Sequence, residues 1–175
     1  MTFYALTWLF VLAITVHNLE EALWLPAWMQ TVGRWTYQVG AREFRFALAV
    51  LTALAAAFAL AANIGGRESI GAYLVCGYAL AMLLNVVFPH LLASVALRRY
   101  APGTLTALLL NLPACALLLR GAIGQGYVDE QVFLWAGPLV VLAIAGSIPL
   151  LFAIGRRLPA AAGAGPAPEA FDGNK

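Results

Sequence analysis

Apolar residues fill five long stretches of the chain, and short segments rich in charge, glycine or proline separate them. We predict helices over residues 3–25, 44–63, 70–97, 103–120 and 132–155, because each stretch is close to the ~20 residues that a helix needs to cross a bilayer. The pattern therefore predicts an all-α fold, a polytopic membrane bundle of five transmembrane helices.

Composition supports this interpretation and limits the number of domains. The chain is 63% hydrophobic and 10% charged, whereas a soluble domain averages about 45–50% apolar and about 25% charged residues. Five spans leave no room for a soluble domain, so we predict one membrane-embedded helical domain over residues 1–157 in the cell membrane. The Ala/Gly/Pro-rich residues 158–175 are predicted to form a disordered cytoplasmic tail.

Positive charge is distributed unevenly between the two predicted sides of the membrane. When the ends of the helices are counted with the adjoining segments, the first loop, the third loop and the tail carry eight Lys and Arg residues, and the second and fourth loops carry two. The positive-inside rule therefore predicts an outside N-terminus and a cytoplasmic C-terminus. We expect the segment from Pro26 to Glu43 to lie along the cytoplasmic surface. The net charge of +2 gives no basic patch that would indicate a nucleic-acid partner.

Ionisable residues inside the first predicted helix are the strongest candidates for function. His17, Glu20 and Glu21 occupy adjacent turns, with the two carboxylates at i+3 and i+4 from the imidazole. An acidic side chain in a bilayer costs roughly 2.5–3.5 kcal/mol on insertion scales, so these groups need partners, water or a function. Trp24, at i+7, extends the same helix face.

Further polar residues lie at a matching depth in the third and fourth helices. Asn85 and His90 in the third, and Asn111 in the fourth, fall in the same cytoplasmic half of the membrane when each residue adds about 1.5 Å. Pro89 and Pro113 each remove a backbone donor and predict a kink beside these residues. The sequence therefore predicts a shared polar cavity, although interhelical hydrogen bonding is the simpler interpretation of each isolated asparagine.

Small residues within the spans indicate where helices approach closely. We expect Gly71, Gly77, Gly137 and Gly146 to allow close contact between helices. Cys76 and Cys115 both lie in apolar runs, which is typical of packing residues and not of a disulfide framework.

Three segments of the chain together resemble the HXXEE-motif family of small membrane proteins. These segments are HNLEE at 17–21, NVVFPH at 85–90 and RRYAPGTLT at 98–106. His17, Glu20 and Glu21 fall on the motif that defines the family, and His90 and the Pro102-Gly103 turn are similar to its other shared blocks. The resemblance implies the fold and the site, and it leaves the reaction open because the family has no assigned function.

The residues leave three functions open. The favoured hypothesis is acid–base catalysis by His17, Glu20, Glu21 and His90, which would isomerise or cyclise a lipid or isoprenoid-like substrate without a cofactor. The second is a hydrolase or oxygenase in which His17, His90 and either Glu20 or Glu21 bind one Zn²⁺ or Fe²⁺ and leave a position open for water or substrate. The third is a proton-coupled carrier or a non-catalytic lipid-binding protein.

All three hypotheses expect membrane lipids and a hydrophobic small molecule as partners. They also share a set of substrate-binding or supporting residues around the ionisable groups, namely Trp24, Asn85 and Asn111.

Overall fold

The protein is a bundle of long helices. A computed structural model describes residues 1–32 and 39–158, and all regular structure within these ranges is helical. Within the described ranges, five helices are long and apolar enough to cross a membrane, which confirms the all-helical class and the predicted number of such helices. They are α1 (Phe3–Val32), α2 (Ala41–Gly65), α3 (Ile70–Ala96), α4 (Thr104–Gly124) and α5 (Glu130–Arg157).

Four of the five helices have ends close to the predicted ones, but the predicted end of α1 at residue 25 is wrong. The helix continues through Pro26 to Val32. Proline has no N–H for the carbonyl of Ala22, four residues earlier, and the Arg45 side chain of α2 donates to that carbonyl instead, at 2.9 Å. A partner from another helix thus replaces the lost backbone bond, and the helix does not end.

Two predicted segments lie partly outside the described residues. The expected surface segment from Pro26 to Glu43 begins inside α1, and its residues 33–38 lie outside the described ranges. The predicted tail also lies outside them from residue 159 onward.

The contact between Arg45 and the Ala22 carbonyl leads to a testable prediction. We expect Arg45→Ala to lower the free energy of unfolding by about 1 kcal/mol, because the carbonyl loses its donor. In a Pro26→Ala background the same substitution should cost close to nothing, since the new N–H at residue 26 can serve that carbonyl. Unfolding of the four variants in detergent micelles measures the difference, and equal costs in both backgrounds would contradict the replacement.

Small side chains let α2 and α3 pack closely in the centre of the bundle. Ala55, Ala59 and Ala62 of α2 are completely buried in the core. A Cβ on Gly71 would collide with the backbone of α2, and one on Gly77 would collide with Val140 of α5. These glycines therefore set the helix spacing.

The predicted role of Gly146 in close helix packing is wrong, whereas Gly137 fits its prediction. A Cβ built at Gly146 meets no described atom within 4 Å, so nothing packs closely there. A Cβ on Gly137 would lie 3.2 Å from the side chain of Leu80 on α3. Cys76 and Cys115 are both buried in the core, as a packing role requires.

Helices α3 and α4 are irregular beside the predicted polar cavity. In α3, Phe88 has extended backbone angles (φ −127°, ψ 121°) immediately before Pro89, and the helix resumes at His90. In α4, residues Ala107–Asn111 form a wide π-helical turn ahead of Pro113. The two irregular segments contact each other, and the one in α4 also contacts α1. Both predicted proline positions therefore coincide with a distorted helix.

Candidate functional site

His17 and Glu21 form the first half of the site and come from adjacent turns of α1. Residues four apart lie on one face of a helix, and both side chains point into the bundle, where His17 is completely buried and Glu21 is 8% exposed. His17 Nε2 lies 3.9 Å from Glu21 Oε1. The local geometry of α1 alone is enough to hold these two groups side by side.

His90 completes the cluster from α3. The break at Phe88 redirects the chain, and His90 Nε2 lies 3.1 Å from Glu21 Oε1. The two imidazole rings meet edge to face, with centroids 4.9 Å apart. Two ring nitrogens and one carboxylate oxygen therefore converge, all within 4.8 Å of one another. We call His17, Glu21 and His90 the His/Glu cluster.

The contact between His90 and Glu21 is close but is not a regular hydrogen bond. Although the nitrogen and the oxygen are 3.1 Å apart, His90 Nε2 has no hydrogen-bond partner of acceptable geometry among the described residues. A buried ring nitrogen without such a partner needs an explanation, and an ion shared with the carboxylate is one. Two histidines and one carboxylate are a ligand set that suits Zn²⁺ or Fe²⁺.

Glu20 lies apart from the His/Glu cluster. Its Oε1 accepts a hydrogen bond from the Tyr100 hydroxyl and its Oε2 accepts one from the Thr106 hydroxyl, both at 2.5 Å. Partial burial of Tyr100 and its hydrogen bond to Glu20 raise the pKa of the Tyr100 hydroxyl, so this group remains a donor. The sequence predicts that both glutamates flank His17, and the structure separates them.

Two side chains hold the ring of His17 at its edges. Thr106 Oγ1 of α4 lies 3.0 Å from His17 Nδ1, and Asn85 Nδ2 of α3 lies 3.4 Å from His17 Nε2. Asn85 was predicted as a supporting residue and lies against the cluster. Thr106 is not among the predicted site residues, because no spacing rule links it to His17, but it is the last residue of the RRYAPGTLT segment and that segment was the available signal for it.

The turn before α4 presses against the cluster through Gly103. Gly103 has a left-handed backbone conformation (φ +93°), and a Cβ there would lie 2.6 Å from His90 Cε1 and 3.1 Å from Glu21 Cγ. Nearby, the Thr104 hydroxyl lies 2.8 Å from that of Ser94, which ties the start of α4 to the end of α3. Tyr100 and Gly103 both fall in the RRYAPGTLT segment, which was the available signal for them.

The remaining predicted residues, Trp24 and Asn111, do not belong to the cluster. Trp24 is 58% exposed and lines a groove of about 760 Å³ together with Glu20 and Tyr100. Asn111 is completely buried in α4, and neither atom of its amide group has a hydrogen-bond partner among the described residues. Trp24 therefore lies on the Glu20 side of the site, and Asn111 has no described polar contact.

Two largely apolar cavities adjoin the cluster. One of about 400 Å³ lies between α1, α2, α3 and α5, where His17, Glu21 and Asn85 meet apolar residues such as Leu48, Leu51 and Phe88. Another of about 320 Å³ lies beside His90 and is lined by Leu25, Leu92 and Leu97 among others. Apolar space that ends on a few polar groups is typical of small-molecule sites.

Comparison with known proteins identifies relatives and no function. The sequence profile of the family described as "Protein of unknown function with HXXEE motif" matches residues 8–118, which include the whole His/Glu cluster. The "Uncharacterized protein YrkK" of Bacillus subtilis (strain 168) is 36% identical over 149 residues, covering 85% of this chain and 94% of that protein. No solved structure matches the chain.

Proposed function

Since the chain belongs to the HXXEE-motif family, which is described without a function, we propose that it is a membrane enzyme whose His/Glu cluster binds one divalent metal ion, Zn²⁺ or Fe²⁺. The observation that carries this proposal is the convergence of three buried donor atoms from two helices within 4.8 Å. Three protein ligands leave a coordination position for water or substrate, as catalytic metal sites require.

The distances within the cluster support a shared ion. Bonds of about 2.0–2.2 Å from Zn²⁺ to nitrogen and oxygen place neighbouring ligand atoms roughly 3–4 Å apart. Two of the three separations, 3.1 Å from Glu21 Oε1 to His90 Nε2 and 3.9 Å to His17 Nε2, fall in this range, and the ligand nitrogens of the two histidines lie within 4.8 Å of each other. A metal would also satisfy the lone pair of His90 Nε2, and it would compensate the charge of a carboxylate held away from water.

The cavities beside the cluster support a hydrophobic substrate. The 400 Å³ cavity brings aliphatic and aromatic side chains up to His17 and Glu21, so an apolar molecule can lie there with its reactive end at the cluster. We propose a lipid or isoprenoid-like substrate that is either hydrolysed by water at a Zn²⁺ site or oxidised by O₂ at an Fe²⁺ site. The groove beside Glu20, about 760 Å³ in volume, offers a second apolar surface next to the site.

We also propose how the protein is placed in the cell membrane. Five spans and the distribution of Lys and Arg favour an outside N-terminus and a cytoplasmic C-terminus. This orientation would place the His/Glu cluster in the cytoplasmic half of the bilayer, because His90 lies in the second half of α3 and Gly103, at the start of α4, contacts the cluster. A lipid from the inner leaflet would then have the shortest path to the cavities.

Metal-free acid–base catalysis is the second candidate, and one contact favours it. Glu21 Oε1 and His90 Nε2 are 3.1 Å apart, so a change of orientation that aligns them as a hydrogen bond would let them exchange a proton. Such a pair can protonate one carbon of an unsaturated substrate and remove a proton from another, which would isomerise or cyclise a lipid. Glu20, which accepts two hydroxyl hydrogen bonds, would have a supporting role.

Metal content distinguishes the two candidates. We expect protein purified in mild detergent to contain about one Zn or Fe per chain by elemental analysis, and chelation should remove it. Adding the metal back at 100 times its Kd should stabilise the chelated protein by about 2.7 kcal/mol in thermal unfolding.

Two results would contradict the metal proposal or support acid–base catalysis in its place. Failure to retain or rebind either metal, with Fe²⁺ added without oxygen, would contradict the metal proposal. If co-purified lipids identified by mass spectrometry were also converted in the presence of chelator, acid–base catalysis would be supported instead.

A further inference from the structure

Glu20, Thr106 and His17 form a continuous hydrogen-bonded chain from the edge of the groove to the His/Glu cluster. The Thr106 hydroxyl lies 2.5 Å from Glu20 Oε2 and 3.0 Å from His17 Nδ1. Resting on the proposed function, we propose that Thr106 and Glu20 are positioning residues that hold the His17 proton on Nδ1, so that Nε2 presents its lone pair to the metal.

The single hydroxyl hydrogen of Thr106 can be donated to Glu20 or to His17, but not to both. A threonine hydroxyl has a single hydrogen to donate, and the carboxylate oxygen of Glu20 is its nearest acceptor, since the Gly103 carbonyl is 3.2 Å away. Once that hydrogen is committed to Glu20, the oxygen of Thr106 can only accept from His17. The proton between Thr106 and His17 must then belong to the ring nitrogen Nδ1.

The second hydrogen-bond partner of Glu20 indicates which way the hydrogen bonds run between Glu20, Thr106 and His17. The Tyr100 hydroxyl donates to Oε1 while Thr106 donates to Oε2. Both contacts are 2.5 Å long, which is typical of hydroxyl groups that donate to an ionised carboxylate, so Glu20 has no proton of its own to pass toward Thr106. The opposite order, in which Glu20 donates to Thr106 and Thr106 donates to His17, would need a protonated Glu20.

The opposite edge of the ring gives an independent indication of the same tautomer. Asn85 Nδ2, an amide donor, lies 3.4 Å from His17 Nε2. A ring nitrogen that faces a donor acts as an acceptor, so Nε2 carries the lone pair, and a bound metal would replace Asn85 as the partner of that lone pair. The same nitrogen faces Glu21 Oε1 at 3.9 Å, on the side where the cluster converges.

The two glutamates of the motif therefore have different tasks on one histidine. Glu21 acts at the Nε2 side as a member of the cluster, and Glu20 acts at the Nδ1 side through Thr106. Metal-binding histidines generally donate their other N–H to an oxygen acceptor, which fixes the ring and raises its basicity. A threonine placed between ring and carboxylate would serve that purpose here.

Nitrogen NMR can test this inference directly, because the chain contains only two histidines. We would record ¹⁵N spectra of histidine-labelled protein after metal removal, with His90→Gln to assign the two rings. We expect His17 in the wild-type protein to carry its proton on Nδ1. Thr106→Val should move that proton to Nε2 or produce a mixture, and Thr106→Ser should keep it on Nδ1.

A matched control variant and a second measurement distinguish an effect of Thr106 on the His17 ring from a general loss of structure. Thr52→Val removes another hydroxyl that hydrogen-bonds across two helices, to Asn18 at 2.8 Å, and should leave the His17 tautomer unchanged. For Zn²⁺ binding we expect Thr106→Val to weaken the affinity roughly 10–100-fold. Thr106→Ser and Thr52→Val should retain it.

The outcomes distinguish this inference from the proposed function. A wild-type His17 with its proton on Nε2, or a tautomer that Thr106→Val leaves unchanged, would overturn the inference, and the wild-type spectrum needs no variant to fold. A protein that shows the expected tautomers but binds no metal would overturn the metal proposal and support the positioning roles of Thr106 and Glu20.

Discussion

Glu21→Gln is expected to abolish metal retention while leaving the bundle folded. The amide has the size of the carboxylate but has no charge, and Glu21 is the only carboxylate in the described His/Glu cluster. We expect the metal content to fall from about one to below about 0.1 per chain, since two neutral imidazoles remain as ligands. Elemental analysis and metal-induced thermal stabilisation both measure this loss.

Two matched variants make the result specific. Glu43→Gln applies the same change at the start of α2, where Glu43 lies 3.8 Å from Arg42, and should retain the metal. Glu20→Gln should retain it with weaker affinity, because Glu20 contacts Thr106 and Tyr100 and not the cluster. Full metal content in Glu21→Gln would exclude this residue as a ligand. A loss in Glu20→Gln as complete as in Glu21→Gln would contradict the division of tasks.

Gly103→Ala is expected to lower the free energy of unfolding by about 2–5 kcal/mol, the sum of two effects. A left-handed conformation (φ +93° at Gly103) costs a residue with a Cβ about 1–2 kcal/mol. The new methyl group would also lie 2.6 Å from His90 Cε1, and such overpacking costs about 1–3 kcal/mol. Because the overlap involves a proposed ligand, the variant should also bind metal more weakly.

Two other glycines separate backbone strain from steric overlap. Gly126 has a similar conformation (φ +69°), but a Cβ there meets no described atom within 4 Å, so Gly126→Ala should show the strain alone. Gly124 is helical and equally open, and Gly124→Ala should be neutral or stabilising by up to about 1 kcal/mol. Unfolding in detergent micelles would compare all three, and equal losses at Gly103 and Gly126 would show that the contact with His90 has no cost.

The sequence by itself determined the class of the fold and the local half of the site. Hydrophobic length decides whether a helix can cross a bilayer, so the five apolar stretches predict, with no knowledge of their packing, the five sufficiently long apolar helices found in the described part of the chain. The helical repeat places residues four apart on one face, so the neighbourhood of His17 and Glu21 follows from their spacing. The family could also be recognised from the motif, and the profile match confirms it.

Contacts between helices decided which of the predicted residues lie together in the site. The sequence placed His90 at the depth of His17, but its 3.1 Å approach to Glu21 depends on how α3 turns after Phe88. Glu20 and Glu21 differ by about 100° around α1, and the hydroxyl groups of Tyr100 and Thr106 hold Glu20 away from the cluster.

The end of α1 shows the same limit of local information. Pro26 is a helix-ending signal in the sequence, yet Arg45 of α2 supplies the donor that the proline lacks. Spacing along one helix fixes what its own residues can reach, whereas the rotation of each helix toward its neighbours comes from side-chain packing of the whole bundle. For that reason the sequence could name His17, Glu20, Glu21 and His90, and only the tertiary structure could separate Glu20 from the other three.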